Sequence, residues 1–202
     1  GQSVIVDNRP GAGQMIGLEL VAKSPADGYV LAVAATPLAV NSALYKKVPY
    51  DPVRDFAPVT QVAAMPNILV AHPTLPARTI RQMLALAKAR PGTLDFGSAG
   101  LGTLPHLEGE LLKARAQIQI NHVPYRGGGL ALTGLIAGQI QVLFSTLTQM
   151  LPYIQDGRVR GLAVTSAERS PFAPDIPTMV ESGFDDFIVA SFSGIVAPSG
   201  TP

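Results

Sequence analysis

Apolar and polar positions alternate along this chain in two periods, and the switches between them mark out its elements. Val4 to Val6 is a short apolar run that predicts a buried strand. The loop Asp7-Asn-Arg-Pro-Gly-Ala-Gly13 follows, and Gln14 to Lys23 predicts a helix with Met15, Leu18 and Val21-Ala22 on one face. Ser24-Pro-Ala-Asp-Gly28 stops that helix, and Tyr29 to Ala35 predicts a second strand. Strand, helix and strand of this length predict a parallel β-α-β unit. A Pro- and Tyr-rich connection then runs through Tyr45, Pro49-Tyr-Asp-Pro52 and Asp55-Phe56.

Phe56 to Val62 and Asn67 to Ala71 read as two strands, and His72-Pro-Thr-Leu-Pro76 as a stiff connector at a domain boundary. Helices are predicted over Thr79 to Arg90, Thr103 to Ala116, Leu130 to Ala137 and Leu147 to Gln155. Strands are predicted over Leu94 to Ser98, Ile118 to Val123, Ile140 to Phe144 and Val159 to Val164. This alternation predicts an α/β fold with a largely parallel sheet. Beyond Ala167 the chain is Pro-rich, with a short helix over Thr178 to Ser182 and strands over Phe187 to Ala190 and Ser193 to Ala197.

Composition narrows the chemistry. The chain has 202 residues, 47% of them apolar, enough to bury a proper core. Only 14% are charged and the net charge is +1, with no basic stripe of the kind a nucleic-acid binder shows. There is no cysteine, so thiolate metal sites, disulfides and Cys nucleophiles are excluded. No apolar run approaches a membrane span in length, and no signal peptide is visible. The opening Gly1-Gln-Ser and the closing Ser199-Gly-Thr-Pro202 read as cuts from a longer protein.

The most informative stretch is Gly97-Ser-Ala-Gly-Leu-Gly-Thr-Leu-Pro-His106, a small-residue loop between a strand and a helix. The first N–H groups of a helix have no internal partner and sit at its positive end, so such a loop suits a carboxylate or phosphate. It is equally the form of an ordinary tight turn. Thr103 is placed to cap the helix, Ser98 to present a hydroxyl, and His106, near the positive helix end, to stay neutral. Catalytic templates fail: Phe96 replaces the first Gly of a nucleophile elbow, and Thr103 stands where a phosphate loop needs Lys. Asn8-Arg-Pro-Gly-Ala-Gly13 with Gly17 is a weak dinucleotide pattern with no acid for a ribose. His122-Val-Pro-Tyr-Arg-Gly-Gly-Gly129 is a second small-residue loop, offering Tyr125, Arg126 and backbone N–H groups. The two loops follow consecutive strands and are expected side by side. His72, His106 and His122 have no metal-ligand spacing, and Glu108 and Glu110 are expected to be solvated.

Val6-Asp-Asn-Arg-Pro-Gly-Ala-Gly13, Tyr50-Asp-Pro, Asp55-Phe-Ala-Pro-Val59, Gly97-Ser-Ala-Gly-x-Gly-Thr-x-x-His106-Leu, His122-Val-Pro-Tyr-Arg-Gly, Leu162-Ala-Val-Thr165, Pro174-Asp-Ile-Pro-Thr178 and Ala197-Pro-Ser-Gly-Thr-Pro202 together resemble the Bug family. These are periplasmic substrate-binding receptors of tripartite tricarboxylate transporters. The resemblance implies a type II periplasmic-binding-protein fold: lobe 1 over residues 1–71 and 191–202, truncated at both ends, and lobe 2 over 72–190. It implies a small carboxylate held between the lobes, hinges near Ala71-Pro73 and Ala190-Ser193, membrane transporter subunits as partners, no cofactor, no metal and no catalysis. The family's ligand loops fall on Ser98, Ala99, Gly100, Gly102, Thr103 and His106, then on Tyr125, Arg126 and Gly127, with Thr36 as a first-lobe threonine. Departures are Arg126 for the usual Lys, Leu130 for Pro, Ser145 for Asp, and Phe192 for Trp. The Arg could grip a carboxylate with two parallel bonds. A sensory ligand-binding module and a nucleotide-dependent α/β enzyme are the competing readings, and a truncated first lobe is expected to expose sheet edges and self-associate.

Overall fold

The computed structural model describes residues 2–9 and 11–202, so Gly1 and Pro10 of the first loop lie outside the described residues. The chain divides into two compact units, Gly1–Ala63 with Ser193–Pro202, and Ala64–Phe192. Unit 1 holds a 3-10 turn over Ala12–Gln14, then α1 (Met15–Ala22), β1 (Ala32–Ala34) and α2 (Thr36–Leu44). Strand β2 (Phe56–Ala71) leads into unit 2, which carries α3 (Ile80–Ala89), β3 (Asp95–Ser98), α4 (Leu104–Ala116) and β4 (Asn121–Pro124). Next come α5 (Gly128–Ile136), β5 (Val142–Thr146), α6 (Leu147–Gln155) and β6 (Arg160–Val164), and β7 (Ala190–Pro198) returns to unit 1.

In unit 2, β3 runs parallel to β4 and β5, while the end of β2 lies antiparallel to β5 on one side and β6 on the other. The order is therefore β4–β3–β5–β2–β6, with β2 alone running against the rest. Ile68, Leu69, Val70 and Ala71 are all fully buried because helices cover both faces. Leu69 and Ala71 face a core with Ile80, Met83 and Ala87 of α3 and Leu112 of α4. Ile68 and Val70 face the opposite core, with Ala131 and Leu135 of α5 and Met150 of α6. Each fully buried Val, Leu, Ile or Met side chain among these contributes about 1.5–3 kcal/mol. Thr79 caps α3 as expected, its hydroxyl accepting from Gln82 N–H at 3.2 Å.

Several boundaries differ from expectation for identifiable reasons. The two strands expected between Phe56 and Ala71 are one, interrupted in pattern by Pro58 and Pro66 but not in backbone course. The first unit boundary falls before residue 64 rather than after Ala71, because Asn67 to Ala71 pair with β5 and β6. The second falls after Phe192, because the Ser191 hydroxyl donates to Asn67 in unit 2 at 3.0 Å. Met179 to Gly183 form turns rather than a helix, after Thr178 bridges to Val164. There Thr178 and Glu181 satisfy one another's backbone N–H groups, at 2.7 and 2.9 Å. Residues 187–189 lie outside any strand.

Unit 1 departs most. Val4, Ile5 and Val6 form no strand and are 81–89% exposed, because nothing among the described residues supplies a ladder for them. The second expected strand shrinks to β1, which pairs antiparallel with β7, so the predicted parallel β-α-β pair is absent. Helix α2 lies where the sequence predicts only a connection. Pro37 in its first turn is a legitimate start signal, and Asn41 is fully buried with its amide donating to Gly13 O and Tyr50 Oη. The core here is small: Leu18, Val21, Ala34, Tyr50, Phe56 and Val196.

Strand β1 stands at the end of the strand order, and its Val33 side chain is 63% exposed. An apolar edge of this kind templates pairing with another chain. The 202-residue chain taken alone is therefore expected to self-associate as its concentration rises. Light scattering that reports monomer mass throughout would contradict this.

Candidate functional site

Strands β3, β4 and β5 point the same way, so the turns that follow them gather along one sheet edge. Ser98 pairs with Pro124 in register, and Tyr125 N–H donates to Ser98 O at 3.0 Å. The two small-residue loops are thus side by side, as their sequence order led one to expect. Helices α4, α5 and α6 start from these turns after Thr103, Gly127 and Thr146. In open α/β sheets this edge is where ligands bind.

The first loop is cross-braced. Ser98 is fully buried, and its Oγ accepts from Gly100 N–H at 3.1 Å and lies 2.7 Å from His122 Nε2. Its hydroxyl is therefore committed to the loop rather than free for a ligand, which corrects the sequence reading. Thr103 occupies the cap position without side-chain capping; its hydroxyl instead donates back to Gly100 O at 2.7 Å. Gly102 N–H donates to His106 Nδ1 at 3.2 Å, which leaves Nε2–H of the neutral ring as the donor. Ala99 is half-buried between these braces.

In the second loop, the Tyr125 ring lies over Gly134 of α5 and beside Gly97, and joins the core beneath the sheet. Its phenol thus braces the loop. Gly127, at φ +121°, turns the backbone into α5 with open space around it, and the first N–H groups of α5 have no partner within the helix. Arg126 is exposed and makes no ion pair among the described residues. Ser145 on β5 is buried, and its hydroxyl donates to Gln149 Oε1 at 3.0 Å, next to the start of α5. Thr36 lies in unit 1, half-buried in the first turn of α2.

Two features were not found by sequence reasoning. His122 is sandwiched between Phe96 and His106, with ring centroids 4.8 and 4.3 Å away. Burial, and then the His106 neighbour, push its proton affinity down to about 4, so it orients Ser98 as a neutral ring. Burial likewise lowers His106, in line with the neutral role expected of it. Glu108, expected in solvent, is 1% exposed, with one oxygen accepting from Asn67 Nδ2 at 2.7 Å. Neither partner is near in sequence: Ser98 is 24 residues from His122, and Asn67 is 41 from Glu108.

Among the described residues, no group of three or more His, Cys, Asp or Glu side chains could hold a metal ion, and no helix is long and apolar enough to cross a membrane. An open groove of about 740 Å³ lies elsewhere, between the Pro73–Arg78 connector and α3. Its Arg160 is spent on the carbonyls of Pro73, Leu75 and Ala77.

The family of receptors described as "Tripartite tricarboxylate transporter family receptor" matches residues 1–202. The protein BugT of Bordetella pertussis is 38% identical over all of this chain and 62% of its own length. The R. palustris protein Rpa4515, solved with adipate, superposes with a TM-score of 0.96 at 36% identity, covering 100% of this chain and 68% of the other. MatC from Rhodopseudomonas palustris, solved with bound malate, gives 0.89 at 30% identity over 95% of this chain and 66% of the other. The chain spans about 60% of the length of the curated relatives it matches. The periplasmic binding protein BugD superposes with a TM-score of 0.94 at 32% identity over 99% of this chain and 67% of its own, so the chain shares its α/β fold, and the matching family is one of receptors. The chain belongs to the receptor family of the tripartite tricarboxylate transporters, which includes the Bug proteins.

Proposed function

We propose that this chain is the ligand-binding part of a periplasmic receptor that captures a small organic acid and delivers it to membrane transporter subunits. The observation that carries the reading is the convergence of two glycine-turned helix starts, α4 and α5, at one sheet edge, with Arg126 exposed beside them. A carboxylate there would meet backbone N–H groups of Ala99, Gly127 and the first turn of α5, the Nε2–H of His106 and the guanidinium of Arg126. Gly100, Gly102, Thr103, Tyr125 and Ser145 would hold those donors in place. Adipate and malate, named for two neighbours, give the chemical class: dicarboxylates and related acids. Backbone and imidazole donors are neutral and the one cation, Arg126, is exposed, which suits a receptor that must let its cargo go, because a buried ion pair is costly to separate. No step in this reading makes or breaks a covalent bond, and no cofactor is required.

Thr103→Val tests the loop. It removes a 2.7 Å hydrogen bond to Gly100 O. Loss of one such bond is expected to weaken adipate binding by about 0.5–1.5 kcal/mol, roughly two- to tenfold. Calorimetric titration that gives unchanged affinity would take Thr103 out of the site.

A further inference from the structure

Glu108 is the one acidic side chain buried among the described residues, and the ligand loop does not use it. Its Oε2 accepts from Asn67 Nδ2 at 2.7 Å, and its Oε1 is buried with no partner. Asn67 Oδ1 in turn accepts from Ser191 Oγ at 3.0 Å. Asn67 backbone N–H donates to Thr165 Oγ1 at 2.9 Å, and Thr165 Oγ1 reaches Val189 O at 2.6 Å. One carboxyl group thus ties α4, which opens at the Thr103 cap and carries His106 in its first turn, to β2 and β7, the two strands that continue into unit 1.

Among the described residues Glu108 has no ion pair to compensate a charge at this place. Strands β2, β5 and β7 contain no titratable residue. On α4 itself, His106, Glu110 and Lys113 lie about 140–160° around the helix from Glu108, and His122 of β4 stacks on His106 on that far side. Arg115, two turns along on the Glu108 side, is engaged by Asp186. An ionised oxygen with no donor in a buried site costs several times what a neutral one does.

We propose that Glu108 is a positioning residue that stays protonated in the folded receptor and, through Asn67, fixes the helix of the ligand loop against the two connecting strands, so that carboxylate binding weakens when Glu108 ionises. The proposal rests on the carboxylate reading of the site above. Burial raises the Glu108 proton affinity from 4.5 to about 8, which places ionisation of the folded protein at mildly alkaline pH.

The test compares wild type with Glu108→Gln, which keeps the acceptor for Asn67 and cannot ionise. Titration of the full-length receptor with adipate is expected to show affinity falling about tenfold between pH 7.5 and 9.5 in wild type and staying level in the variant. A level wild-type profile, or the same fall in Glu108→Gln, would overturn the proposal. Thermal unfolding without ligand separates the two readings. A raised folded-state value means that the folded protein holds a proton that the unfolded chain has released. Wild type should therefore lose melting temperature relative to Glu108→Gln from about pH 4.5 to about pH 8, with a constant gap above that. Should adipate and malate fail to bind at any pH, the carboxylate reading falls while this profile still decides whether Glu108 holds a buried proton; parallel profiles would overturn that too.

Discussion

Gly109→Val is expected to cost about 3 kcal/mol of stability and to lower the melting temperature by roughly 6–12 °C. Gly109 lies mid-helix in α4, where a Cβ would sit 2.1 Å from Phe96 Cε2 and 2.5 and 2.6 Å from two other ring atoms. Phe96 is 1% exposed and cannot step aside, since His122 stacks on it. The helix must lift from β3 or the ring must leave its rotamer, and either change disturbs the Ser98–His122 brace. The small gain in helix propensity on replacing glycine does not offset a clash of this size. A melting temperature within about 2 °C of wild type would show that α4 packs more loosely than described.

Gly100→Val should weaken adipate binding about 10–100-fold while leaving most of the stability intact. Gly100 sits at φ +130° with its missing Cβ 3.4 Å from Tyr125 O, where the two ligand loops touch. A branched residue there is strained by about 1–3 kcal/mol and pushes the loops apart. Gly92→Ala is the matched control. It also has a positive φ, of +72°, but open space around it, and it lies in the turn before β3 away from the site. It should lose some stability and no affinity. Equal effects of the two substitutions on binding would mean that the Gly100 turn has no special part in the site.

What could be read from the sequence was what is local. Thr79 ahead of a helical apolar stripe gave α3 and its cap, and Ile68 to Ala71 announced a buried strand because both faces are apolar. The Gly97 to His106 and His122 to Gly129 loops were legible because a turn that leads a strand into a helix selects glycine locally. The length of β2 was not legible, since Pro58 and Pro66 demote a strand unless its neighbours leave room for them. The fate of Val4 to Val6 depends on a partner strand, which the run itself does not specify. The braces of the site were the least legible. Whether Ser98 faces a ligand or His122, and whether Glu108 faces water or Asn67, depends on residues 24 and 41 positions away. A polar side chain on an apparently exposed helix position looks the same in either case.

The most direct test of the receptor reading is calorimetric titration of the full-length protein with adipate, malate and citrate, each paired with its methyl ester. The account predicts one-to-one binding of at least one free acid, Kd in the micromolar range or tighter, and loss of most of that affinity on esterification. No binding by any acid, or equal binding of acid and ester, would contradict it.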